Sequence, residues 1–126
     1  MEKIETVKAP AAIGPYSQAV RAGDYLFCSG QIPLLPDSGE MVSGGIAEQT
    51  HQVLANLGQV LAAAGVDFSS VVKTTIYLAD LESFAVVNEI YAEYYAGIAP
   101  ARATLQVAAL PKGALVEIDA VAYCGE

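Results

Sequence analysis

The hydrophobic positions of this chain repeat with two different periods, and the change of period predicts its elements. Residues 16–22 and 25–30 are short apolar-rich runs separated by a glycine turn, which predicts two paired strands. After a loop rich in proline and glycine, apolar residues recur at helical spacing over 46–64, and Gly65 is a typical helix stop. The first half therefore predicts a hairpin followed by an amphipathic helix.

The second half alternates between strand and helix patterns. Residues 71–79 carry β-branched side chains at alternating positions, which predicts a strand. Asp80 is a typical N-cap for a helix predicted over 81–96, and two further strands are predicted over 102–109 and 115–124. The order β-β-α-β-α-β-β predicts an α+β fold, with one sheet and both helices on one of its faces.

Alternation along the last two strands assigns side chains to the two faces of the sheet, because successive residues point in opposite directions. The strand over 102–109 has an apolar set, predicted to pack under the helices, at Ala103, Leu105, Val107 and Ala109. Arg102, Thr104 and Gln106 then fall on the opposite face. The same reasoning applied to the last strand places Glu117 and Asp119 on that face too, so we predict one cation and two carboxylates together.

The predicted polar face is mixed in character, since it also receives Val71, Lys73, Thr75, Tyr77, Val121 and Tyr123. One interpretation is an ordinary solvated face of a sheet that contains antiparallel strands. The apolar members favour the other interpretation, a surface that meets a partner.

The composition indicates the size of the domain and the kind of partner it meets. The chain has 126 residues, which fits one domain over 1–126, and it is 54% hydrophobic but only 16% charged. Such an apolar small domain is expected to bury some surface between subunits. Acidic residues outnumber basic ones 14 to 6, which weighs against a nucleic-acid partner because phosphates require basic patches.

Arg102 stands out because it is one of two arginines in a chain of formal charge -8. Its guanidinium is always charged and presents a planar fork of donors that suits a carboxylate. Taken alone, the residue is explained by an internal salt bridge to one of the many acids. The alternative is a small anionic ligand held by one local cation.

Several other classes of function find no support in the sequence. There is no run of about 18 apolar residues for a membrane span, and the first residues do not resemble a targeting signal. Cys28 and Cys124 lie in strand-like apolar runs, so we expect reduced thiols in a cytoplasmic protein. His51 is the single histidine and is expected at the surface, so neither a metal site nor a Ser-His-Asp arrangement is predicted.

Several short segments resemble those of the reactive intermediate deaminase (RidA, YjgF) family. They are Ala9-Pro10, Gly14-Pro15-Tyr16-Ser17-Gln18-Ala19, Ser29-Gly30-Gln31-Ile32-Pro33, Val72-Lys73-Thr74-Thr75, Val87-Asn88-Glu89, Pro100-Ala101-Arg102 and Glu117-Ile118-Asp119-Ala120. The resemblance runs in order from about residue 9 to residue 123, and the chain keeps the arginine of the archetypal subgroup.

The resemblance implies a fold like that of a bacterial chorismate mutase, assembled as a homotrimer with the sheets forming an inner barrel. Ligand sites are then expected in the clefts between subunits. The implied activity is hydrolysis of reactive enamine and imine intermediates, such as 2-aminoacrylate, 2-iminopropanoate and 2-iminobutanoate, to 2-keto acids and ammonia. These intermediates are released by pyridoxal-phosphate-dependent dehydratases, and the resemblance implies no cofactor or metal in the deaminase itself.

The resemblance also implies roles for individual residues. Arg102 matches the arginine that clamps the substrate carboxylate, and Glu117 matches the acid that positions or activates water. Residues that line or support the pocket are implied at Tyr16, Ser29, Gly30, Asn88 and Thr104. Thr104 stands where some relatives have cysteine, so its backbone is expected to matter more than its side chain. Ala99 replaces a frequent aromatic residue, and Asp119 replaces a more usual glutamate.

The strand directions lead to one further expectation. If the last strand runs antiparallel to the Arg102 strand, then Arg102 and Glu117 lie near opposite ends of a sheet whose strands span roughly 25 Å. We therefore expect the two residues of one pocket to come from different subunits. Two other functions remain alternatives: an RNA-acting ribonuclease or translation inhibitor, and a non-catalytic trimer that binds keto acids or acts like a chaperone.

Overall fold

Residues 1–125 are described by a computed structural model, in which a six-stranded mixed sheet carries two α-helices on one face. This arrangement confirms the predicted α+β fold class. The strands are β1 (Glu2–Ile4), β2 (Ala19–Ala22), β3 (Tyr25–Gln31), β4 (Val71–Leu78), β5 (Ala101–Gln106) and β6 (Val116–Tyr123). The helices are α1 (Ile46–Ala63) and α2 (Phe84–Ala92).

The strand order across the sheet is β1-β2-β3-β6-β4-β5. Every neighbouring pair is antiparallel except β4 and β5, which are parallel and joined through α2. The last strand of the chain is therefore central, between β3 and β4, and β5 is an edge strand. None of the helices formed by residues 1–125 is long and apolar enough to cross a membrane.

The core lies between the helices and one face of the sheet. Fully buried side chains come from α1 and from alternate positions of the central strands, among them Leu54, Leu57, Leu61, Ile76, Leu78, Val116 and Ile118. Burying each side chain contributes about 1.5–3 kcal/mol, so the helix is held mainly by its apolar stripe. Truncating Leu57 to alanine would cost about 2–5 kcal/mol, because the cavity left in a closely packed core cannot fully collapse.

The element boundaries differ from the predicted ones in four places. Strand β1 was not predicted, β2 begins at Ala19 instead of residue 16, and β5 ends at Gln106. Helix α2 spans half of the predicted range, because a 3₁₀ turn over Leu81–Ser83 precedes it and turns follow Ala92. Asp80 does act as a cap, since its side chain accepts a hydrogen bond from the Glu82 backbone N–H at 2.9 Å.

The predicted placement of Val71 on the polar face is wrong, because β4 begins with a β-bulge. The pairing with β6 shifts between Val71 and Lys73, which turns Val71 into the core (5% exposed) and leaves Val72 exposed (43%). The alternating pattern predicted the reverse, because an extra residue in one strand inverts the faces before it. From Lys73 onward the predicted alternation holds, with Thr74, Ile76 and Leu78 buried.

The prediction that Arg102 shares a face with Glu117 and Asp119 is wrong. Arg102 is paired with Thr74, whose side chain points toward the helices, and its guanidinium contacts α2. Thr104, two residues further along β5, lies on the same helix-facing side, and so does Gln106. The predicted alternation along β5 is correct. Its apolar residues Ala103 and Leu105 were assigned to the helix-facing side, but they lie on the other face of the sheet.

The face of the sheet without helices, here called the open face, does carry the two carboxylates. Glu117 is paired with Tyr77 and Asp119 with Thr75, and both pairs point away from the helices. The open face also exposes large apolar side chains, between 38 and 51% exposed, at Tyr25, Phe27, Leu105 and Tyr123. It is thus an apolar surface with an acidic region, as the mixed pattern of the sequence indicated.

Candidate functional site

The first group of functional side chains, here called the arginine half-site, consists of Phe84, Asn88, Tyr91 and Arg102. Phe84, Asn88 and Tyr91 are spaced i, i+4 and i+7 along α2, so they form one stripe on the helix surface. Arg102 reaches this stripe from the start of β5. Its Nη1 donates a hydrogen bond to Asn88 Oδ1 at 2.8 Å, and its Cζ lies 5.5 Å from the Phe84 ring centroid and 5.0 Å from that of Tyr91.

The groups that hold Arg102 are neutral. Within residues 1–125, no carboxylate lies within 4.0 Å of its guanidinium, and the one ion pair found joins Lys3 to Glu5 at 3.8 Å. A cation over an aromatic ring at an exposed site contributes about 0.5–1 kcal/mol without neutralising the charge. The internal salt bridge that would explain this arginine is therefore not present in the described chain, and its charge remains available to an anion.

Thr104 lies beside this half-site on the same side of β5. Its hydroxyl oxygen is buried, and no hydrogen-bond partner for it occurs within residues 1–125. The Thr104 hydroxyl is thus a buried polar group on the same side of β5 as Arg102.

The second group, here called the carboxylate half-site, consists of Gly30, Tyr77, Glu117 and Asp119 on the open face. Glu117 lies directly against Gly30, and a methyl group added at Gly30 would overlap its carboxylate. Asp119 accepts hydrogen bonds from the Tyr77 hydroxyl at 2.9 Å and from the Thr75 backbone N–H at 3.2 Å. A side chain at position 30 would therefore displace the Glu117 carboxylate from its place.

The electrostatics of this half-site favour proton uptake by Glu117. Partial burial, and next the negative charge of Asp119, raise the pKa of the Glu117 carboxyl above its ordinary value. The hydrogen bond to Asp119, followed by burial, raises the pKa of the Tyr77 hydroxyl, which stays protonated as a donor. A carboxylate with a raised pKa is a stronger base than an ordinary one, and so it is better suited to accept a proton from water.

A cleft of about 480 Å³ adjoins the carboxylate half-site, and its walls include Tyr16, Gly30, Ile32 and Lys112. Ser29 supports this wall, since its hydroxyl donates to the Ser17 carbonyl at 2.6 Å and its N–H to the Gln18 carbonyl at 2.9 Å. Tyr16 is 54% exposed and reaches the cleft from the segment that precedes β2. Tyr16 and Gly30 thus line one cleft, and Gly30 also contacts Glu117.

One chain does not bring the two half-sites together. Arg102 is level with Thr74 on β4 and points toward the helices, whereas Glu117 is level with Tyr77 and points to the open face. Three residues of strand correspond to roughly 10 Å, and β4 separates β5 from β6. Within one chain, Arg102 and Glu117 therefore point to opposite faces of the sheet, and their meeting in one pocket from different subunits stays a prediction.

Three residues with clear structural roles were not singled out from the sequence. Tyr91 and Phe84 fall within the helix predicted over 81–96, and their spacing from Asn88 could have indicated a common stripe. Gln18 is buried, and its side chain joins β2 to the N-terminal segment by accepting from the Thr6 N–H and donating to the Thr6 and Pro10 carbonyls. A buried glutamine cannot be distinguished from an exposed one by residue type alone.

The remaining candidate residues lie where the sequence predicted. Cys28 is buried, and its burial raises the pKa of the thiol to about 12, so it is a packing residue and not a thiolate nucleophile. Cys124 is also a free thiol. His51 is exposed on α1, where its Nδ1 lies 2.9 Å from the Tyr94 hydroxyl, far along the chain from either half-site.

The fold and its two half-sites define a small α+β protein. It has an arginine at one sheet edge that no carboxylate of residues 1–125 pairs, and two carboxylates on the open face. The chain belongs to the endoribonuclease L-PSP family, whose profile matches residues 6–124. It is similar to the mouse 2-iminobutanoate/2-iminopropanoate deaminase, with 57% identity over 122 residues that cover 97% of this chain and 90% of that protein. The resemblance to the reactive intermediate deaminases is thereby confirmed.

Solved structures agree with this assignment. A Thermotoga maritima protein described as a candidate endoribonuclease superposes with a TM-score of 0.97 at 45% identity, covering 100% of this chain and 99% of the other. E. coli TdcF, solved with bound serine, superposes with a TM-score of 0.93 at 38% identity and covers 99% and 100% of the two chains.

Proposed function

We propose that this protein is a deaminase that hydrolyses 2-iminobutanoate, 2-iminopropanoate and their enamine forms to 2-keto acids and ammonia, without a cofactor. The single observation that carries this proposal is the unpaired Arg102, held by an amide oxygen and two aromatic rings in a strongly acidic chain. The name of the mouse relative points to the same substrates, and the serine bound by TdcF is likewise a small molecule with a carboxylate.

The chemistry assigns one task to each half-site. Arg102 binds the substrate carboxylate through a charge-assisted hydrogen bond, which contributes about 1.5–3 kcal/mol. Glu117 orients a water molecule and accepts its proton as the water oxygen attacks the imine carbon. Glu117 returns that proton to the imine nitrogen, which gives a neutral carbinolamine. The same carboxylate then takes the proton of the carbinolamine hydroxyl and passes it to the amino group, so that the C–N bond breaks, ammonia leaves and a 2-keto acid remains. Asn88 keeps Arg102 in place, while Tyr16, Ser29, Gly30 and Thr104 form the pocket.

The active unit in this proposal is a homotrimer whose open faces meet. Its support is the exposed apolar set on that face, since monomeric proteins rarely expose a continuous apolar surface of this kind. In such an assembly the arginine half-site of one subunit joins the carboxylate half-site of a neighbour, and each cleft is complete only at the interface. The free thiols of Cys28 and Cys124 support a cytoplasmic location.

The direct test couples the purified protein to a threonine dehydratase and follows the decay of the imine intermediate. We expect faster decay with the wild-type protein than without it, and a large loss of this effect with Arg102→Ala. Equal decay rates with and without the wild type would defeat the enzyme proposal. Activity that survives Arg102→Ala unchanged would defeat the role of Arg102 as the carboxylate clamp.

The family description makes ribonuclease activity the second function to test. The net charge of -8 and the presence of a single histidine weigh against it, because RNA binding and cleavage require basic and proton-transferring groups. We expect no cleavage of single-stranded RNA by preparations that hydrolyse the imine. Cleavage that is lost in Glu117→Gln would assign the same residues to RNA instead.

A further inference from the structure

We propose that Tyr91 and Thr74 are positioning residues for Arg102, which fix the guanidinium where it meets the substrate carboxylate. The proposal rests on the proposed function, because it assigns these residues to the binding step of that reaction. It arises from a hydrogen bond in the core directly behind Arg102, between side chains that do not themselves touch the substrate.

The hydrogen bond joins the Tyr91 hydroxyl to Thr74 Oγ1 at 2.7 Å. Both residues are buried, with Tyr91 5% exposed and Thr74 fully inaccessible, so the bond is shielded from water. Thr74 belongs to β4 and is the direct pairing partner of Arg102 on β5. The position of the Tyr91 ring is therefore tied to the same point of the sheet from which the Arg102 side chain departs.

The Tyr91 ring is also fixed by its aromatic neighbour. Tyr95 packs against it with ring centroids 4.5 Å apart, and the Arg102 Cζ lies 5.0 Å from the Tyr91 centroid. A ring that is hydrogen-bonded at its hydroxyl and packed against a second ring has little freedom to move. It offers the guanidinium a fixed surface, whereas a free arginine side chain would sample many rotamers.

Within residues 1–125, the groups that orient Arg102 are neutral, and an acid in their place would weaken substrate binding. A carboxylate partner would orient the guanidinium but would compete with the substrate carboxylate for the same donors. The aromatic surface and the Asn88 amide oxygen orient the side chain and leave its charge unneutralised. Ordering the side chain before binding lowers the entropy lost when the substrate arrives, which raises affinity.

The test compares binding and turnover in three variants. Tyr91→Leu removes the ring, and we expect about a tenfold increase in KM for 2-iminobutanoate and in the dissociation constant of its product 2-oxobutanoate. We expect kcat to change by less than about twofold. Tyr91→Phe and Thr74→Val each remove the hydrogen bond but keep the shape, and we expect about a threefold increase in both constants.

Two controls separate positioning from a purely structural role. The double variant Tyr91→Phe/Thr74→Val should bind no more weakly than either single variant, because both changes break the same bond. Tyr94→Phe makes the same chemical change at a tyrosine whose hydroxyl lies 2.9 Å from His51 Nδ1, and we expect its KM and dissociation constant to match the wild type. Thermal unfolding of every variant shows whether stability and affinity change together.

The outcomes distinguish this inference from the proposed function. A wild-type protein that neither accelerates imine decay nor binds 2-oxobutanoate would defeat the proposed function. An active wild type with unchanged KM and 2-oxobutanoate binding in Tyr91→Leu would defeat the positioning role. If Tyr91→Leu does not fold, the two shape-conserving variants decide: unchanged constants in both would overturn the inference, and matched increases that are not additive would support it.

Discussion

The two half-sites treat charge in opposite ways. The arginine half-site holds one cation with an amide and two aromatic rings, and no acid within residues 1–125 neutralises it. The carboxylate half-site places Glu117 and Asp119 two residues apart on one strand, where partial burial, and next the negative charge of Asp119, raise the pKa of Glu117. The first arrangement is suited to binding an anion and the second to accepting a proton.

Neither half-site can carry out the proposed reaction alone. A cation without a nearby base can bind a 2-imino acid but cannot activate water, and a pair of carboxylates without a cation repels an anionic substrate. The comparison predicts that mutations in the two half-sites affect different kinetic constants.

The largest expected effect comes from Glu117→Gln, which keeps the shape of the side chain but removes the proton acceptor. We expect kcat to fall by roughly 10²–10⁴-fold, because this is the usual contribution of general base catalysis. The dissociation constant of 2-oxobutanoate should change little. Single-turnover kinetics measure the effect, with the exposed helix residue variant Glu89→Gln as the control. An unchanged kcat would show that Glu117 does not act on water.

The next effect concerns the close approach between Gly30 and Glu117. Gly30→Ala introduces a methyl group that forces the Glu117 carboxylate to move, and we expect kcat to fall by about 10²-fold because a displacement of this size misplaces the base. Stability should change by less than about 1 kcal/mol, since the end of a flexible side chain can shift. Gly97→Ala, where the added methyl group meets open space, is the matched control for kcat and for thermal unfolding.

In the other half-site, Arg102→Ala should act on substrate binding. We expect KM to rise by about 10- to 100-fold, which corresponds to losing one charge-assisted hydrogen bond. Arg102→Lys should recover only part of this loss, because an ammonium cannot reproduce the planar fork. Steady-state kinetics measure KM, with Arg21→Ala as the control. Equal KM values for Arg102→Ala and Arg21→Ala would contradict this role.

The smallest expected effect is a shift of the pH profile. If Glu117 is the base, activity is lost as the pH falls through its pKa, since the protonated carboxyl cannot accept a proton. The charge of Asp119 contributes to raising that pKa, so Asp119→Asn should lower it and move the loss of activity to lower pH. The measurement is kcat/KM across the acidic range, and a profile that moves to higher pH would contradict the electrostatic account.

The sequence predicted the layers of this fold better than the faces of its strands. Helix α1 was predicted over its length because its apolar residues keep one period over 18 residues and bury one stripe. Strand β5 has six residues at a sheet edge, where the open face is itself apolar. Alternation there shows that two faces differ, but it does not show which of them meets the helices.

The candidate site was predicted as a set of residues and not as an arrangement. Arg102, Glu117, Gly30 and Asn88 were singled out by resemblance, and the structure shows which of them are in contact. The hydrogen bond between Tyr91 and Thr74 links positions 17 residues apart, and no local pattern encodes such a contact. The bulge that buries Val71 is likewise set by pairing with β6 instead of by its own sequence.

The central claim is that one catalytic site combines the two half-sites from different subunits. Its most direct test mixes equal amounts of the impaired variants Arg102→Ala and Glu117→Gln and allows subunits to exchange. Imine hydrolysis is then measured at a substrate concentration well below the wild-type KM, in assemblies whose mixed composition is verified by native mass spectrometry. Random mixing in a trimer pairs an intact Arg102 with an intact Glu117 at about one interface in four, so we predict recovery to about a quarter of wild-type activity. Mixed assemblies that remain as inactive as the separate variants would contradict the claim.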